Sequence, residues 1–121
     1  MKTPQLFKTY TVGPVFVVEL LGVVSSLADS SVLRELEEVR ADLRKGGQKA
    51  LVVDLAKAAY FGSSLLEAIR ILWNDLSARG GHIALCNASE VGREVLQVAK
   101  FDHVWPLTDS LDEAVRVVNA C

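Results

Sequence analysis

Ala50-Leu51-Val52-Val53-Asp54-Leu55-Ala56-Lys57-Ala58-Ala59-Tyr60-Phe61-Gly62-Ser63-Ser64-Leu65-Leu66 decides the fold class. Residues 50–55 form a short, almost wholly apolar run, the pattern of a strand covered on both faces. A short loop follows, and the paired serines open a helix. Its apolar stripe is Leu65, Ile69, Leu72 and Leu76, widened by Leu66 and Trp73 and closed by Gly80-Gly81. Downstream, residues 82–86 (His-Ile-Ala-Leu-Cys) read as the next strand. Asn87, with Glu90 three residues on, has the spacing of a helix cap, and Val91, Val95 and Val98 supply the expected buried face. Residues 104–107 read as a short last strand, and Leu111, Ala114, Val115 and Val118 as an amphipathic helix.

Upstream, residues 5–12 and 15–21 are apolar or alternating runs split by Gly13-Pro14, which predicts two strands joined by a tight turn. Asp29-Ser30-Ser31 offers cap chemistry for a helix carrying Val32, Leu36, Val39 and Leu43, which Gly46-Gly47 ends. The order is β-β-α-β-α-β-α-β-α. Such alternation calls for an α/β domain: a mixed, mostly parallel sheet with covering helices and an antiparallel hairpin at its start. No linker, charge block or repeat divides the chain, so residues 1–121 are expected to be one domain.

Composition agrees. Half of the 121 residues are hydrophobic, enough for one core that buries roughly two-thirds of the unfolded surface. Thirteen basic side chains face fifteen acidic ones, a net charge of −2 that gives no broad attraction to nucleic acid or an anionic membrane. Glu19 interrupts the apolar stretch 15–24, so neither a membrane span nor a secretory segment is expected. Cys86 and Cys121 have no metal-ligand or CxxC spacing. Two thiols, one in a strand and one at the C-terminus, suit a cytoplasmic protein.

Catalytic chemistry is thin. His82 and His103 are the only histidines, and Gly62-Ser63-Ser64-Leu65-Leu66 is not a nucleophile elbow because Leu66 replaces its last glycine. Phosphate-binding glycine loops and His/Cys clusters are absent, so no enzyme activity, metal or cofactor is expected. Asp54 ends a strand, as a receiver phosphoacceptor does, but only Glu19 stands in the second strand where an acidic pair is needed. Ser64 and Glu67 have capping-box spacing, which leaves Ser63 one residue outside the helix. Its hydroxyl then lies beside the positive end of the helix dipole, where a phosphoryl group is tolerated.

The chain resembles the STAS domains of bacterial anti-sigma factor antagonists over nearly its whole length. The resemblance rests on Leu21-Gly22, on Val52-Val53-Asp54-Leu55 followed by Phe61-x-Ser63-Ser64, on the run from Gly80 to Asn87 with Val91 and Leu96 after it, and on the run from Asp109 to Ala114. It implies a non-enzymatic partner switch in transcription regulation. The unmodified domain binds an anti-sigma factor Ser/Thr kinase, and phosphorylation of a serine by that kinase ends binding. By position the phosphoacceptor is Ser63, with Ser64 as the alternative. The implied docking face is Asp54, Tyr60, Gly62, Ser63, Ser64, Leu65 and Leu66. Three positions depart from the family pattern: Gly62 replaces an Asp, Leu65 replaces a Gly, and Ser25 replaces an acidic residue. A constitutive scaffold or accessory subunit, for example of a lipid-transport ABC system, is therefore the alternative. Direct nucleic-acid binding and membrane insertion are not expected, and monomer and homodimer both stay open.

Overall fold

The computed structural model describes residues 6–22, 24, 26–58 and 62–120. The elements are β1 (Phe7–Val12), β2 (Val15–Leu20), α1 (Ser30–Gly46), β3 (Ala50–Asp54), α2 (Ser63–Ser77), β4 (His82–Cys86), α3 (Glu90–Val98), a 3-10 turn (Phe101–His103), β5 (Leu107–Thr108) and α4 (Leu111–Asn119). The order is the expected one. The strands form one sheet in the order β1-β2-β3-β4-β5, with β1 antiparallel to β2 and every other pair parallel.

Strand alternation sorts the core into two layers. Phe16, Val18, Leu20, Leu51, Val53, Ile83 and Leu85 point to one face, where the buried stripes of α1 and α2 and Leu96 of α3 cover them. Val15, Val17, Val52, Ala84 and Cys86 point to the other, which α4 covers with Ala114 and Val118. Both faces of β3 are therefore dry, which is why its sequence is continuously apolar. Helix α1 begins as expected: the Asp29 carboxylate accepts the Ser31 N–H at 2.9 Å. It ends on Gly47, whose positive φ of 70° lets its N–H reach the Leu43 carbonyl at 3.1 Å.

Four local expectations need correction. The last strand is Leu107–Thr108 rather than 104–107. Trp105 is instead fully buried in a turn, stacked on Phe101 at 4.4 Å and edge-on to Trp73 at 6.4 Å. Bulky apolar residues read as strand by propensity, but here ring packing consumes them before pairing starts.

The α3 cap is Ser89, whose hydroxyl accepts the Gly92 N–H at 3.0 Å, and not Asn87, which adopts φ 60°. The buried side of α3 is Gly92 and Leu96; Val91 and Val98 are 64% and 78% exposed. Leu96, fully buried, joins the core cluster under α1 and α2, and that packing rather than the number of valines sets the rotation of α3. Finally, Gly62 occupies the cap position of α2 without a side-chain bond, so Ser63 is the first helical residue. Ser64 is therefore not the cap residue, and Glu67 pairs with Arg70 at 3.1 Å.

Candidate docking site at the end of the parallel strands

Parallel pairing brings the C-terminal ends of β2 to β5 to one edge of the sheet. The register places Glu19 opposite Asp54, Asp54 opposite Cys86, and Cys86 opposite Thr108. This row lies above the apolar residues that α4 covers. Asp54 is only 6% exposed. A buried carboxylate needs partners, and Asp54 Oδ1 accepts the Ala56 N–H at 3.0 Å and the Asn87 side-chain amide at 3.1 Å. The first bond is an Asx turn that starts the β3–α2 loop; the second ties that loop to the β4–α3 loop. Asn87 can do this because its left-handed backbone, which asparagine tolerates, turns the chain directly after β4.

The neighbouring groups are tuned by burial. Cys86 donates no proton readily: burial, and then the Asp54 charge, push its thiol up to about 12. Tyr10, which pairs with Val17, is raised by partial burial first and then by Asp54 and Glu19. Lys57, itself exposed, reaches back to the largely buried Glu19 at 3.7 Å. A thiol this basic is a poor nucleophile at neutral pH. Among the described residues no group of three His, Cys, Asp or Glu side chains could hold a metal ion, and no helix is long and apolar enough to cross a membrane.

The Asp54 loop delivers the start of α2 to the same edge. Ser63 is exposed on the first turn, Gly62 and Ser64 are half-buried, and Ser64 is engaged in further interactions. Leu66 is half-buried, whereas Leu65 is 2% exposed and belongs to the core. Asp54 and Leu65 thus support the expected docking face from beneath, while Gly62, Ser63, Ser64 and Leu66 reach its surface. Tyr60, Phe61, Ser25 and Cys121 lie outside the described residues. His82 and His103 are both exposed, at a strand start and in the 3-10 turn. Sequence reasoning missed Asn87 as the partner of Asp54; its only signal was an asparagine directly after a buried strand, which reads equally well as a cap.

The profile of the STAS domain matches residues 8–114. BtrV of Bordetella bronchiseptica, provisionally described as an anti-sigma factor antagonist, is 26% identical over 96 residues, which cover 78% of this chain and 82% of BtrV. The fold is similar to the crystal structure of an anti-sigma factor antagonist from Mycobacterium paratuberculosis, with a TM-score of 0.74 at 22% identity over 98% of this chain and 99% of that one. It is also similar to the phosphorylated form of the Bacillus cell fate determinant SpoIIAA, with a TM-score of 0.67 at 20% identity over 93% of this chain and 98% of that one. With the family profile spanning all five strands apart from the first residue of β1, the chain belongs to the STAS domain family.

Proposed function

We propose that this domain is a non-enzymatic anti-sigma factor antagonist. Unmodified, it binds an anti-sigma factor Ser/Thr kinase and so frees a sigma factor; transfer of the ATP γ-phosphoryl group to Ser63 Oγ ends that binding. The observation that carries the reading is the position of Ser63. It is exposed on the first turn of α2, a turn with no acidic residue, after the loop that Asp54 starts. Backbone N–H groups and the helix dipole there accept an added phosphate at little cost to the free domain. The same phosphate brings nearly two negative charges into a contact made by a neutral hydroxyl, so the penalty falls on the complex. Names of relatives support it: BtrV carries the antagonist description, and SpoIIAA has been solved in unphosphorylated and phosphorylated forms.

A constitutive scaffold or accessory subunit is the second reading. Gly62 and the buried Leu65, where the family pattern has an Asp and a Gly, favour it. Incubation with a candidate anti-sigma factor Ser/Thr kinase and ATP, read by intact mass, separates the two. The switch predicts one added phosphate that Ser63→Ala abolishes and Ser64→Ala retains. Binding without any phosphate on either serine would establish the scaffold.

A further inference from the structure

Val91 and Val98 of α3, with the half-buried Val95 between them, form a surface that the domain itself leaves largely uncovered. At 100° per residue, Val91, Val95 and Val98 fall within an arc of about 60°. Gly92 and Leu96, which face the core, lie about 100° to one side, and Arg93 lies beyond them. Arg93 pairs with Asp109 just after β5, so that flank of α3 faces the β5 edge. The valine flank therefore faces away from that edge. On α2, Asp75 pairs with Arg40 of α1 at 2.7 Å and marks the flank turned to α1. Leu66 and Trp73 lie on the opposite flank, and both are half-buried against the core. The valines line an open depression of about 370 Å³ together with Glu94 and Ala99.

We infer that this valine-lined face of α3 docks an amphipathic helix of the partner protein, with an apolar stripe and a Lys/Arg-bearing flank. The stripe from Val91 to Val98 is about 10 Å long, two turns of a helix, and helix-in-groove recognition uses anchors at this spacing. Charge selects the occupant. Glu90 and Glu94 are exposed beside the valines, and among the described residues neither has an ion-pair partner. Arg70, the cation of α2, is already neutralised by Glu67. Lys100 is exposed just past Ala99, so the rim is acidic beside Val91 and Val95 and carries one cation at its C-terminal end. A second copy of this chain fits poorly, because packing stripe on stripe about a two-fold axis near Val95 sets Glu94 beside its own mate. The surface adjoins the proposed docking site, since Asp54 and Asn87 join the loops that lead into α2 and α3.

The inference rests on the antagonist reading for its partner, and calorimetric titration with the anti-sigma factor kinase tests both. Val91→Asp and Val98→Asp, at exposed positions, should keep the parental melting temperature yet weaken binding about tenfold or more. Glu94→Lys should weaken it several-fold and flatten its dependence on salt. Valine variants that bind like the parent, while Ser63→Glu does not, would overturn the docking surface and leave the antagonist reading intact. A parent that fails to bind the kinase would overturn both. Concentration-dependent dimerisation abolished by Val98→Asp would assign the stripe to a second copy and overturn the inference.

Discussion

The carboxylate of Asp54 accepts the side-chain amide of Asn87 at 3.1 Å and thereby joins two loops that are 33 residues apart in the chain. The same oxygen holds the Ala56 N–H, so one buried atom organises the edge of the sheet that presents Ser63.

Removing that oxygen strands two donors. Asp54→Ala should therefore cost about 2–3 kcal/mol in urea unfolding. Asn87→Ala should cost about 1–2 kcal/mol, from the lost bond and from a left-handed backbone that alanine tolerates poorly. The double variant should be less destabilised than the sum, because each single change breaks the same contact. Strict additivity would show that the two residues do not interact.

Ser63→Glu tests the helix start in the free domain. The first turn of α2 has no acidic residue, and its Gly62 cap makes no side-chain bond. A negative charge there should leave stability unchanged or raise it by about 0.3–1 kcal/mol, with salt erasing the gain. A loss of more than about 1 kcal/mol in thermal or urea unfolding would mean that the hydroxyl of Ser63 is structural, and binding defects of this variant could not then be read as a switch.

Alkaline pH should weaken the fold through Cys86 and Tyr10. The ordinary thiol value is 9.0, whereas burial first and Asp54 second push Cys86 up to about 12. Between these values the unfolded chain has lost a proton that the folded chain keeps, so stability falls as pH rises from about 9 towards 12. Tyr10 is raised too and adds a loss in the same direction at alkaline pH. Urea midpoints at pH 8 and pH 10.5 should show the decline, and Cys86→Ala should make it shallower. In a Cys121→Ser background, native Cys86 should react with a thiol reagent at pH 8 far more slowly than the unfolded chain. Equal rates would contradict the burial.

Local patterns were enough for much of this molecule. Val15 to Leu20 and Ala50 to Asp54 are strands because runs of valine and leucine with no polar alternation suit a sheet covered on both sides. The stripes of α1 and α2 are written in the residues that the structure buries, and Gly47 ends α1 where a left-handed residue is needed. Ser63 stands where the loop after Asp54 hands over to a helix, and that too is visible in the order of residues.

Other features depend on neighbours distant in the chain. The 9 residues of α3 carry two apolar stripes, and only tertiary packing selects Gly92 and Leu96 for the core and leaves Val91 and Val98 outside. The cap is settled there too: Ser89 is extended and starts the helix, whereas Asn87 is left-handed and turns its side-chain amide to Asp54. Trp105 was apolar enough for a strand, but the rings of Trp73 and Phe101 draw it into a turn. Sequence alone thus determined the order of elements and the faces of the long helices, because each is a local periodicity. Tertiary structure decided the rotation of α3, its cap and the Asp54–Asn87 bond, because each is settled by which distant groups are left to fill a space or satisfy a buried polar atom.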